Sequence, residues 1–136
     1  MRAFVIIVFT MFLLISCGSN NVSPVVTYRV ESASQQQVAY MQIDANGYVV
    51  RTIKGETDEF QLGQSDFALV LEQIRAADLS TMRLPDTTTS TQSTFFHTIL
   101  SGPHQISFAE QDVPEIVKPL LVSFERILRV KVSTTP

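Results

Sequence analysis

Apolar and polar residues alternate along residues 25–32, and this period of two predicts a β-strand with one buried face. Two more β-branched and aromatic runs, residues 37–43 and 48–53, lie on either side of Asp44-Ala45-Asn46-Gly47. Because an Asn-Gly pair readily supplies the positive φ of a tight turn, we predict a β-hairpin from these two runs. Residues 59–62 are compatible with a further short edge strand.

The apolar spacing becomes helical after Gly63. Ser65 is placed to cap a helix that extends to about residue 77 and carries one apolar stripe: Phe67, Val70, Leu71 and Ile74. The next segment, residues 80–94, is rich in Ser and Thr and contains Leu84-Pro85, so we predict a long exposed loop there.

A second hairpin and a second helix complete the predicted elements. The hairpin strands are residues 94–100 and 104–108, with Leu100 placed opposite His104 across the turn. Asp112 is placed to cap the second helix, and Pro114 suits its first turn because a first-turn N–H has no intrahelical partner. Pro119 lies one turn further on and should kink or restart this helix.

The element order is therefore β-β-β-α-β-β-α. Tight turns between the strands imply an antiparallel sheet, and two amphipathic helices can cover only one of its faces. We predict an α+β two-layer sandwich with about five strands, formed by residues 25–129 and followed by a tail at residues 130–136.

One face of the predicted sheet is a candidate interaction surface. We assign Phe96, Leu100, Ile106 and Phe108 to the face that the helices cover. The opposite face then carries Phe95, His97 and Ile99, together with Arg51 and either Tyr40 or Met41. Exposed apolar groups on an open face indicate a binding surface, although the loop at residues 80–94 or a curled sheet is an alternative cover for them.

Composition narrows the function classes. The chain has 136 residues and a formal net charge of −3, which suits one domain and argues against nucleic-acid binding. Cys17 is the only cysteine, so no internal disulfide can form, and the predicted register separates His97 from His104 too far for one metal ion. The sequence contains no phosphate-binding loop or nucleophile motif, so we expect neither a cofactor nor an enzyme.

The N-terminus has the features of a secretory leader. Met1 and Arg2 precede a run of thirteen residues with one polar member, which is too short to span a bilayer as a helix. The run ends in Leu14-Ile15-Ser16-Cys17-Gly18, which resembles the lipobox of bacterial lipoproteins. The resemblance implies that residues 1–16 are removed, that Cys17 is lipidated, and that residues 17–24 form a tether to the membrane.

Residues 48–128 also resemble the small protease-inhibitor domains of the emfourin kind, in the spacing of their hydrophobic residues and in a few turn residues. The similarity lies in Leu62-Gly63-Gln64-Ser65-Asp66-Phe67 before a helix, in Thr94-Phe95-Phe96-His97-Thr98-Ile99, and in Pro114 before a closing helix. It implies a protein-binding role and transfers no functional residue.

Taken together, these features predict a lipid-anchored envelope lipoprotein that binds another protein, as an inhibitor or an immunity-type protein would. The lipobox resemblance, with Gly18 after the cysteine, implies an outer membrane facing the periplasm where the cell has two membranes. The alternative is a small-ligand binder with a pocket between the sheet and the Ser/Thr-rich loop, lined by Phe95 and Ile99.

Overall fold

A computed structural model describes residues 23–82 and 93–130 of the chain. The predicted leader, Cys17, most of the Ser/Thr-rich loop and nearly all of the tail lie outside the described residues. The elements, in chain order, are β1 (Pro24–Ser32), β2 (Gln37–Asp44), β3 (Tyr48–Ile53), β4 (Glu56–Gln61), α1 (Gln64–Ala77), β5 (Phe95–Ser101), β6 (His104–Ala109), two short 3₁₀ helices (Glu110–Asp112 and Glu115–Val117) and α2 (Lys118–Leu128).

All strands belong to one antiparallel sheet with the order β4-β3-β2-β1-β5-β6. The predicted α+β class with its sheet and two helices is confirmed, and the sheet has six strands rather than five. The sixth strand is β4, which pairs with β3 along its whole length from Glu56 to Gln61 and is longer than the predicted edge strand. The first strand lies at the centre, between β2 and β5.

The hydrophobic core lies between α1, α2 and one face of this sheet. Its fully buried side chains include Tyr28, Met41, Ile43 and Ile99 from the strands and Phe124 from α2. The predicted division of β1 is confirmed, because Val26 and Tyr28 are buried while its other side carries Thr27, Arg29 and Glu31. Among the described residues, neither helix has the length and hydropathy needed to cross a membrane.

The turn between β2 and β3 has the predicted chemistry. Asp44 Oδ1 accepts hydrogen bonds from the backbone N–H groups of Asn46 at 2.8 Å and Tyr48 at 2.9 Å. Gly47 has a φ of 79°, and a Cβ at this position would lie 3.0 Å from the Phe67 ring. The glycine is therefore required twice, once by the turn and once by the close approach of α1.

Both helix starts differ from the prediction. Gly63, not Ser65, occupies the N-cap of α1, and no side chain caps it. Asp112 ends a 3₁₀ helix, and α2 begins at Lys118 with Pro119 in its first turn. Pro119 therefore restarts the helix, because a proline at the first helical positions removes no intrahelical hydrogen bond.

Candidate functional site

The turn between β5 and β6 decides which side chains reach which face of the sheet. Only Gly102 and Pro103 form the loop, and Ser101 pairs with His104. The predicted register, with Leu100 opposite His104, is wrong by one residue. Because side chains alternate along a strand, a shift of one residue moves the whole of β5 to the opposite face.

The candidate interaction residues consequently lie in or beside the core. Ile99 is fully buried, and His97 and Arg51 are 9% and 5% exposed. Phe95 is half-buried. The predicted exposure of His97, Ile99 and Arg51 is therefore wrong, and Ile99 cannot line a ligand pocket under the Ser/Thr-rich loop.

His97 takes part in a buried aromatic cluster. The Tyr28 hydroxyl and His97 Nδ1 share a hydrogen bond of 2.8 Å, and the His97 ring stacks on Phe108 with centroids 5.6 Å apart. Phe124 of α2 packs against Tyr28 at 4.8 Å. Burial lowers the pKa of His97 and raises that of Tyr28, so both side chains are neutral near pH 7. The pair is a satisfied polar contact within the core.

Arg51 joins the sheet to the end of α2. Its Nε and Nη2 atoms donate to the two carboxylate oxygens of Asp58 at 2.6 and 2.8 Å. Nη1 donates to the carbonyl of Ile127 at 2.6 Å, and Nη2 to that of Val130 at 2.5 Å. The guanidinium also lies 4.9 Å from the Phe60 ring centroid. The hydrogen bond from Arg51 lowers the pKa of Asp58, which keeps the pair charged at neutral pH.

The opposite face of the sheet carries a different set of side chains. One row crosses all six strands in the order Thr57, Thr52, Tyr40, Arg29, Thr98 and Ser107, which we call the central row. The neighbouring row contains Glu59, Val50, Gln42, Thr27, Leu100 and Gln105. None of these twelve residues belongs to the buried core cluster. We call this surface, with Tyr48, Glu31 and Phe96, the open face.

Side-chain hydrogen bonds order the open face. The hydroxyls of Thr52 and Thr57 lie 2.8 Å apart, and those of Thr98 and Ser107 lie 3.0 Å apart. Tyr48 donates to Glu59 at 2.5 Å, and this hydrogen bond raises the pKa of Tyr48. These contacts hold hydroxyl groups in fixed positions on a surface about 25 Å wide, given a strand spacing near 4.8 Å.

The open face carries few charges and several exposed or half-buried aromatic and aliphatic groups. Arg29 pairs with Glu31 at 3.5 Å near the centre, and Glu59 lies on the edge strand. Tyr48 and Leu100 are 39% and 36% exposed. Aromatic residues and arginine are enriched in protein–protein interfaces, whereas Lys, Glu and Asp are depleted there. The composition of the open face therefore suits a protein partner.

The outer side of the helices is more strongly charged. It includes Lys118, Glu125, Arg126 and Arg129, and its most exposed apolar residue is Val122. A groove beside α2 has a volume of about 490 Å³ and is lined by Val122, Glu125, Arg126, Arg129 and Val130. Within residues 23–82 and 93–130, no group of three or more His, Cys, Asp or Glu side chains is arranged to hold a metal ion.

The sequence contains a signal for which face of β5 is buried. Gly102-Pro103 is itself a two-residue hairpin loop, and counting Ser101 into β5 places His97 and Ile99 beside Phe108 and Ile106. No sequence signal identifies Arg51 as buried, because its acceptors are carbonyls of Ile127 and Val130, far away in the chain.

Removal of the Arg51 guanidinium should destabilise the fold. We expect Arg51→Met to lower the free energy of unfolding by about 2–4 kcal/mol, since the carbonyls of Ile127 and Val130 and the carboxylate of Asp58 each lose the hydrogen bonds that Arg51 donates. Arg29→Met on β1, which β2 separates from β3, is the control. Because the Arg29–Glu31 pair is solvent-exposed, this substitution should cost less than about 1 kcal/mol. Urea unfolding measures both, and equal losses in the two variants would contradict the role of Arg51.

His97 should make the fold sensitive to acid. Burial holds its folded pKa below the ordinary 6.5, so the unfolded chain binds a proton that the folded chain resists as the pH falls below that value. Glu110 and Glu125 oppose the shift without reversing it. We expect the free energy of unfolding to fall as the pH drops below 6.5, by at most about 1.4 kcal/mol per pH unit.

One variant tests this assignment. His97→Gln should flatten the pH dependence in that range, because it removes the buried imidazole whose pKa is lowered. The same slope in the His97 variant and the unsubstituted protein would show that another group is responsible.

Comparison of the sequence with protein families and with curated proteins gave no match. No protein-family model matches the chain, and no curated protein matches it significantly.

Proposed function

We propose that this protein is a lipid-anchored module of the bacterial cell envelope that binds another protein through the open face. The composition of that face carries the binding part of the proposal. It combines Tyr40, Tyr48, Phe96 and Leu100 with ordered hydroxyls and only one central ion pair. It extends across all six strands, a width of about 25 Å.

The position of β1 supports the anchoring part. Residues 18–23 separate Cys17 from Pro24, where the central strand begins, and six residues reach at most about 20 Å. A lipid on Cys17 would therefore keep the sheet close to the bilayer surface while leaving side chains on β1 to β6 accessible. Two or more acyl chains would make this attachment stable, at about 0.8 kcal/mol for each buried methylene.

The lipid anchor has a direct chemical test. Mass spectrometry of the mature N-terminus is expected to find Cys17 as the first residue, with a diacylglyceryl group on its sulfur. Cys17→Ala should abolish both the modification and the recovery of the protein with membranes. A mature chain that retains residues 1–16, or an unmodified Cys17, would refute the anchor.

Site-specific crosslinking in cells tests the open face. A photoreactive amino acid at Thr52 or Thr98 should crosslink one discrete envelope protein. The same amino acid at Val122, which is 67% exposed on α2, is the control and should not crosslink that protein. Leu100→Asp should reduce crosslinking from Thr52 about tenfold, because a charge is placed in an apolar contact.

The pattern of crosslinks decides the result. Equal yields from Thr98 and Val122 would mean that the open face has no special role. No crosslinked protein from either open-face position would contradict the proposal.

A further inference from the structure

The two edges of the sheet differ in their protection against pairing with another strand. The β4 edge contains Glu56, Asp58 and Glu59 among its six residues. The β6 edge reads His-Gln-Ile-Ser-Phe-Ala and contains no Asp, Glu, Lys, Arg or Pro. Its pairing with β5 is regular, without a bulge. Charges, prolines and bulges are the usual devices that keep edge strands from associating, and β6 has none of them.

Hydrogen-bond alternation shows which part of β6 is available. In a two-residue hairpin, Ser101 and His104 form the closing hydrogen-bonded pair, so Ile106 and Phe108 also direct their backbone groups toward β5. The backbone groups of Gln105 and Ser107 then point away from the sheet. Gln105 is exposed and Ser107 is half-buried, whereas Ala109 is buried and ends the accessible edge.

The two ends of β6 differ in charge, because two carboxylates lie beyond one end whereas the other end has the Arg75 cation together with the carboxylate of Asp78. Glu110 and Asp112 lie exposed directly beyond its C-terminal end, and among the described residues neither forms an ion pair. At the other end, His104 and Arg75 line a groove of about 200 Å³ that Ser101 and Asp78 also border. An antiparallel copy of β6 reverses these ends, so the acidic end of each copy would lie beside the His104 and Arg75 end of the other.

We infer that two copies of this chain pair antiparallel through β6. Gln105 of each copy lies opposite Ser107 of the other, around a twofold axis beside Ile106. About four backbone hydrogen bonds form, and the charge contact between the ends occurs twice, as an isologous interface requires. The axis is perpendicular to the sheet, so both open faces point the same way. The pairing does not depend on the lipid, although such an axis along the bilayer normal lets both tethers reach one leaflet.

Disulfide trapping in the full-length protein tests this register. Hydrogen-bonded residue pairs of an antiparallel ladder have Cα atoms about 5.5 Å apart, which suits a disulfide. The double variant Gln105→Cys with Ser107→Cys should therefore form covalent dimers under mild oxidation. Each single variant should form at least about tenfold fewer, because identical positions lie about 8 Å apart, beyond disulfide range.

The β4 edge offers a matched control. Thr57→Cys with Glu59→Cys has the same spacing, and the Thr57 hydroxyl contacts Thr52 as the Ser107 hydroxyl contacts Thr98. This control should remain monomeric. Glu110→Lys should reduce trapping through β6 about tenfold, since a cation would then meet Arg75, whereas Glu56→Lys should not change it.

Three results would overturn the inference. They are equal trapping at the two edges, equal trapping by a single β6 cysteine, and disulfides from β6 to a different protein instead of a second copy. Repeating the experiment with Cys17→Ala separates this inference from the proposed anchor. Dimers that persist after membrane attachment is lost support the pairing, whereas attachment without dimers refutes the pairing and leaves the anchor intact.

Discussion

The docking of α2 on the sheet depends on one buried guanidinium. Arg51 on β3 donates to the carboxylate of Asp58 on β4 and to two carbonyls at the C-terminal end of α2. A buried arginine is tolerated only where hydrogen bonds and an opposite charge replace the lost water. Here the acceptors are the carbonyl of Ile127, in the last turn of α2, and that of Val130, just beyond the end of the helix. The same contact that satisfies Arg51 therefore fixes where α2 ends and, through it, where Phe124 packs on Tyr28.

The two faces of the sheet do not divide into one apolar side and one polar side. The core face contains Arg51 and His97, while Phe96 and Leu100 lie on the open face. The buried polar groups are possible because each has a partner with good geometry, Asp58 for the arginine and Tyr28 for the histidine. The apolar groups on the open face are only partly buried, and Leu100 is 36% exposed.

The central position of β1 links the fold to the proposed role. Strands pair with β1 on both sides, so the segment that follows the tether is the best supported strand of the sheet. A pulling force on a membrane-attached tether would act on the domain at Pro24, and the hydrogen bonds of β1 with both β2 and β5 would resist it. The open face extends on both sides of this strand, and the unprotected β6 edge lies two strands away from it.

Local sequence was sufficient for most of the elements and for the class of the fold. The alternation along β1, the Asn46-Gly47 turn and the amphipathic spacing in both helices are local properties, and each specified its element without help from the rest of the chain. Helix starts were less accurate, because Ser65 and Asp112 have capping side chains but packing placed the first turns elsewhere.

Tertiary structure alone decided which face of β5 is buried and why Arg51 is there. The strand 95–101 has large apolar residues on both sides, so its alternation does not choose a face, and one residue in the hairpin register changes the outcome completely. Phe108 and Tyr28 provide the ring contact and the hydrogen bond that His97 makes, and Ile127 provides an acceptor for Arg51 from 76 positions away. Contacts of this range exist only after the sheet and helices have packed.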